Sequence, residues 1–137
     1  MTFDVLGIPV AQGRPKFTTR SGYGRAYDPK KSVQGKHDFK MQSLKYRPKE
    51  LIKEAIQLDI IFYLPRPKSL PKKVIYHTKK PDIDNLVKLC CDSMKGIFFI
   101  DDSQIIRLNA KKRYCIEGHP SMTRVIIQVI DKNAVVD

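Results

Sequence analysis

The stretch from residue 81 to residue 96, PDIDNLVKLCCDSMKG, constrains this chain more than any other. Pro81 and Asp82 carry the signals of a helix start and Gly96 those of a C-cap, so the spacing predicts a helix from Asp82 to about Lys95. With about 100° between successive residues, Ile83, Leu86, Val87, Cys90 and Met94 gather on one side. Asp84, Lys88 and Asp92, at i, i+4 and i+8, make a polar stripe on the other. A helix divided in this way has to lie on an apolar layer with its charged stripe outward.

The rest of the chain supplies that layer. Residues 2–9, 55–64, 104–115 and 123–130 are rich in apolar and β-branched side chains and read as strands. Pro65-Arg66-Pro67 ends the second of them. Gly118-His119-Pro120 links the last two, which predicts an antiparallel hairpin. Asp28 followed by Pro29 reads as an N-cap and first turn, opening a helix over residues 30–45 in which Gly35 leaves room for an interruption. Residues 74–77 are apolar enough for a further strand but too few to fix one. With no internal repeat, the order strand, helix, strand, helix, strand, strand gives an α+β fold, a mixed β-sheet packed with two main helices. The length of 137 residues suits a single domain, 1–137.

Charge limits the partners. Lys and Arg number 26 against 14 Asp and Glu, a net +12 with a pI near 9.7, and the excess sits in the first two-thirds of the chain. A polyanion is the expected partner. Residues 12–27 hold four basic and three aromatic side chains and no acid, and residues 66–80 hold six Lys or Arg and no acid. Both read as basic loops suited to DNA, with Phe17, Tyr23 and Tyr27 either packed back on the domain or stacked on bases. No apolar run approaches a membrane span, and the first residues lack a basic leader, so the expectation is no membrane and no secretory signal. Three cysteines, Cys90, Cys91 and Cys115, form neither an even disulfide set nor a zinc pair, which fits a reducing, cytoplasmic compartment. His37, His77 and His119 are far apart and read as surface residues. No P-loop, G-x-S-x-G or G-x-G-x-x-G is present, so NTP hydrolysis, acyl transfer and a nucleotide cofactor lack support.

Against this basic background five of the 14 acids fall between residues 82 and 102: Asp82, Asp84, Asp92, Asp101 and Asp102. Asp82 and Asp84 share a helix start and can aim oxygens at one point, and Asp101-Asp102 can bring a third carboxylate from another element. An oxygen-only set suits a hard divalent cation that keeps several waters and takes substrate phosphate as ligand. Lys88 is one turn beyond Asp84, where it can neutralise the same phosphate. The competing reading makes these acids helix caps and turn formers. An EF-hand is excluded, because its fifth position would be Leu86 and its glycine Val87.

Pro81-Asp82-Ile83-Asp84-Asn85-Leu86-Val87-Lys88, with Asp92, Gly96 and Asp101-Asp102-Ser103-Gln104-Ile105, resembles the D-x-D-N-x-x-K and D-D-x-Q signature of the RusA family of Holliday junction resolvases. Gln12-Gly13-Arg14-Pro15-Lys16 and Tyr27-Asp28-Pro29 resemble the N-terminal pattern of its Gram-positive and phage members, and Lys111-Lys112 occupies the basic position after the second motif. The resemblance implies a RusA-like domain acting as a homodimer that binds four-way DNA junctions and nicks two strands symmetrically in recombination and repair. It implies Mg²⁺ as cofactor, with Mn²⁺ as a substitute, in a bacterial or phage-infected cell. By position Asp82, Asp84 and Asp102 would hold the metal and Lys88 would be the essential lysine; the family pattern assigns no direct part to Asp92 or Asp101, which stand as candidates to support these residues from behind. Arg14, Lys16, Lys79, Lys80, Lys111 and Lys112 would bind DNA. Where some members carry an arginine before the first aspartate this chain has Pro81, so Lys79 and Lys80 would have to supply that phosphate contact. Two alternatives stand beside the resolvase: a non-catalytic junction-binding or architectural protein, and a nuclease of flaps, forks or RNA.

Overall fold

The computed structural model describes residues 1–20 and 22–134. The strands are β1 (Thr2–Leu6), β2 (Lys16–Thr18), β3 (Arg25–Tyr27), β4 (Ile56–Leu64), β5 (Ile105–Tyr114) and β6 (Met122–Val129), and the helices are α1 (Lys30–Ser43) and α2 (Ile83–Met94). Short 3-10 turns follow α1 at Leu44–Tyr46 and precede β5 at Asp102–Gln104. The α+β class and the order of main elements are those expected. No helix among the described residues is long and apolar enough to cross a membrane.

Strand pairing departs from the expected hairpin. The main sheet runs β1-β6-β4-β5, with β4 parallel to β5 and antiparallel to β6. β5 and β6 are therefore not neighbours. β4 lies between them, and the seven-residue link spans two strand spacings, about 10 Å. The reason lies in β4, whose Ile56, Leu58, Ile60, Phe62 and Leu64 are all buried on one face while Gln57, Asp59, Ile61 and Tyr63 are half-buried on the other. So apolar a strand gains most at the centre. β4, α2 and β5 form a parallel crossover, which needs the helix as its connection.

Both helices cover the same face of the sheet. Phe39 of α1 and Leu86, Cys90, Cys91 and Met94 of α2 join Phe3, Val5, Val125, Ile127 and the buried β4 residues in one core, with Phe98 and Phe99 from the segment after α2. Phe3 is its hub, stacked at 4.9 Å on Phe98 and 5.4 Å on Tyr46 and edge-on to Phe39. Burial pushes the Cys90 thiol well up and the Cys91 thiol to about 11, so both are protonated core side chains. Of the expected apolar stripe of α2, Ile83 is the member left exposed.

Two further expectations, on residues 12–27 and on the N-cap of α1, are corrected, and the open reading of residues 74–77 is decided. Residues 12–27 are not all loop, because β2 and β3 pair as a separate two-stranded ribbon. Residues 74–77 form no strand; Arg66 instead holds that loop by donating to the carbonyls of Val74 (2.7 Å) and Pro71 (2.8 Å). The N-cap of α1 is Pro29, and Asp28 pairs with Lys36 and accepts from Gln12.

Helix α1 is also unbroken at Gly35. A Cβ there would lie 2.8 Å from Val10 Cγ1 and 2.9 Å from Val10 Cβ, so the glycine lets the strand-to-ribbon segment cross the helix. Gly35→Ala gains up to about 1 kcal/mol of helix propensity but overpacks at a cost of roughly 1–3 kcal/mol. A net destabilisation is expected in urea unfolding, with recovery in Gly35→Ala/Val10→Ala.

Candidate active site

The two acidic groups in the sequence have different fates. Asp82 is the N-cap of α2 by position, with extended backbone, yet its side chain makes no capping hydrogen bond. It pairs with Lys80 at 3.8 Å, both side chains largely exposed. Asp84 follows in the first turn, also exposed. The capping explanation thus fails for Asp82.

Asp101 behaves in the opposite way. Its carboxylate accepts from Ser103 N at 3.2 Å and pairs with Lys95 at 2.8 Å, and these partners hold its carboxyl well below the usual carboxylate range. Gln104 completes a capping box and does more. Its Oε1 accepts from Ile100 N (2.9 Å) and Asp101 N (2.8 Å), while Nε2 donates to the carbonyls of Ile52 (2.8 Å) and Glu54 (3.0 Å). The aspartate pair before β5 is thereby pinned to the chain entering β4.

Among the described residues the three carboxylates are not gathered at one point. Asp82 and Asp84 stand at the start of α2, whereas Asp101 is tied to Lys95 at its end, and twelve helical residues span about 18 Å. Asp102 makes its field felt at Cys91 and Lys95, in the second half of the helix. Among the described residues no three His, Cys, Asp or Glu side chains are grouped to hold a metal ion. The Asp82–Asp84 turn does fit a hard cation, since it offers two exposed carboxylates uncommitted to capping, and Mg²⁺ needs only one or two together with waters and substrate phosphate.

Lys88 pairs with Asp92 at 3.4 Å, and Asp92 is shared with Lys36 at 3.8 Å, which in turn reaches Asp28 at 3.6 Å. Asp92 therefore steadies Lys88 and ties α2 to α1. A cavity of roughly 330 Å³ runs along this flank, lined by Gln12, Arg14, Asp28, Lys36, Asn85, Lys88 and Asp92 among others. A second cavity of roughly 520 Å³ lies at the start of α2, where Lys31, His77, Lys80, Asp82 and Asn85 line it. Asn85 borders both, and its carbonyl accepts from Gln12 N at 2.9 Å, docking the Gln12-Gly13-Arg14 segment on α2.

The basic residues divide likewise. Arg14, Lys16, Lys79, Lys80 and Lys111 are exposed. Lys112 is half-buried, and its Nζ donates to the carbonyls of Lys79 (2.7 Å) and Pro81 (3.0 Å). That ammonium positions the backbone leading into Asp82. His77 is no plain surface residue: it sits on Tyr114 at 4.7 Å, and burial, then the Lys112 ammonium, hold it below the ordinary imidazole range. The sequence reading missed Gln12, Lys36, Asn85 and His77 as lining residues. The positions of Gln12 in the basic N-terminal motif and of Asn85 in the D-x-D-N-x-x-K motif were signals for two of them.

The model of the RusA endodeoxyribonuclease family matches residues 7–129. The chain belongs to the RusA family. A Bacillus subtilis (strain 168) protein, YqaN, is 35% identical over 125 residues, covering 84% of this chain and 88% of that protein. The rusA crossover junction endodeoxyribonuclease of Lactococcus phage r1t is 31% identical over 110 residues, 77% of this chain and 74% of the phage protein. As a RusA-family enzyme the chain is an endodeoxyribonuclease.

Proposed function

We propose that this RusA-family nuclease resolves four-way DNA junctions by paired symmetric nicks, acting as a homodimer with Mg²⁺, for which Mn²⁺ can substitute. The observation that carries the reading is the uncapped Asp82–Asp84 turn in a strongly basic chain, and the name of the phage relative supports the choice of junction. A two-fold assembly suits a substrate that must be cut at two symmetric points.

Asp82 and Asp84 are the residues to hold the divalent cation. When bound, the cation supplies an activated water and offsets charge on the phosphoryl group. Lys88 exchanges its pairing with Asp92 for the scissile phosphate, and the free amide groups of the first turn of α2 favour the same anion. Lys112 keeps the loop bearing Lys79 and Lys80 at the mouth of the site, so these two lysines meet the flanking phosphate despite Pro81. Asp102 is the third carboxylate, standing on the flank beyond Lys88. Asp101 acts through Lys95 and the turn it caps.

The test is a labelled synthetic four-way junction beside a linear duplex of matched sequence, incubated with Mg²⁺, Mn²⁺ or EDTA. Paired nicks in the junction alone, absent with EDTA, are expected. Tight junction binding with no cutting under any metal condition would return the protein to an architectural role, and cutting of flaps or forks in preference would change the substrate. Binding should also weaken steeply with salt, and Arg14→Ala or Lys79→Ala should each flatten the slope of log K against log[salt] by roughly one.

A further inference from the structure

The β2–β3 ribbon stands apart from the main sheet and has no core of its own. Cross-strand partners share a face, so the register Lys16↔Tyr27, Phe17↔Ala26 and Thr18↔Arg25 puts Lys16, Thr18, Arg25 and Tyr27 on one side and Phe17 with Ala26 on the other. Neither side is covered. Phe17 is 76% exposed, Tyr23 in the connection 77% and Tyr27 47%. Burying a side chain such as Phe is worth about 1.5–3 kcal/mol, and a lone exposed apolar residue is ordinary. Three aromatics on one small ribbon that also carries Lys16, Arg20 and Arg25, and no acid, are a different case.

The ribbon's root is fixed. Gln12 N donates to Asn85 O and Gly13 N to Ser32 Oγ at 2.8 Å, and a Cβ on Gly13 would lie 2.8 Å from Pro29 Cγ. The ribbon therefore projects from the flank of α2 that carries Lys88. Its charge calls for a polyanion, and its aromatics for a flat apolar face. Duplex DNA offers the first but keeps its base faces stacked, whereas DNA with unstacked nucleotides offers both.

We infer that the β2–β3 ribbon binds unstacked nucleotides of the DNA substrate, with Phe17 stacked on a base while Lys16, Arg25 and Tyr27 on the opposite face hold the adjoining backbone. The inference rests on DNA being the substrate, as proposed above, and adds how a branch point is told from plain duplex.

The chain contains no tryptophan, so Phe17→Trp places a sole tryptophan on the ribbon, to be excited at the red edge where tyrosine does not absorb. In the full-length protein its emission should be quenched by single-stranded oligo-dT and by a four-way junction, and not by a closed linear duplex. Phe17→Ala should weaken oligo-dT binding by about 5- to 150-fold, the equivalent of one stacked base, and leave the salt slope and the duplex affinity within about twofold. Absence of quenching, equal losses on oligo-dT and duplex, or a change of oligomeric state in Phe17→Ala on sedimentation would overturn it, the last because the ribbon would then be a contact between copies. Junction cutting without quenching defeats this inference and leaves the resolvase reading standing. Quenching by a protein that cuts no junction does the reverse.

Discussion

Asp84→Asn protein is expected to bind a four-way junction at least as tightly as the wild type and to cut it far more slowly. The substitution keeps the size of the side chain and its place in the first turn of α2, where Asp84 is exposed, so the fold is expected to be kept. It removes a negative charge from a surface that receives phosphate, which favours binding. It also removes half of the carboxylate pair proposed to hold the cation. Loss of groups that merely orient metal ligands costs about 10- to 100-fold, and loss of a ligand should exceed that. Gel-shift titration and single-turnover cleavage on the same labelled junction separate the two effects. Asp102→Asn is expected to lose less, because the field of Asp102 acts on Cys91 and Lys95, in the second half of α2. Equal losses in the two variants would mean that substrate or a second copy draws all three carboxylates together. Normal cutting by Asp84→Asn would remove it from the site.

Gln104→Ala should be the most damaging change to the fold outside the core. The amide engages four backbone groups, two donors after Phe99 and two acceptors before β4, and at roughly 1 kcal/mol for each the loss comes to about 2–4 kcal/mol. Urea unfolding monitored by circular dichroism would measure it. Gln104→Glu distinguishes the mechanism from simple loss of contact. A carboxylate still accepts from Ile100 and Asp101 but faces the carbonyl oxygens of Ile52 and Glu54 with no proton to offer. That environment raises its pKa in the folded state above the unfolded value near 4.3, so the variant should be least stable at neutral pH and regain stability as pH falls through the raised folded pKa. A variant as stable as the wild type at pH 7 would show that the four contacts contribute little.

The same glutamine illustrates what was legible in the chain. Its place in a D-D-x-Q motif marked it as part of the signature, but spacing could not say that it serves the backbone and not the substrate. Helix α2 was readable almost to the residue, because Asp82 and Gly96 give its ends and the apolar stripe gives its buried side. The roles of the two acidic pairs were not readable, since Asp82 and Asp101 both look like caps and only Asp101 caps with its side chain. Lys112 looked like one more DNA-facing cation, and its burial against the carbonyls of Lys79 and Pro81 depends on β5 lying parallel to β4. The hairpin failed for a related reason. Alternation shows which face of a strand is buried and says nothing about which strand lies beside it.

The strand order β1-β6-β4-β5 also sets a timetable for synthesis. β6 arrives after every other element and has to enter between β1 and β4, two strands made long before it. No pair in the sheet is a local hairpin, so loop closure is costly for each and folding should be slow for a protein of this size. Until residues 122–129 leave the ribosome, β4 carries an unpaired edge along its most apolar stretch, the kind of edge that recruits other chains. Translation that stalls before residue 122 would leave an adhesive intermediate, whereas the finished chain hides that edge at the centre of its sheet.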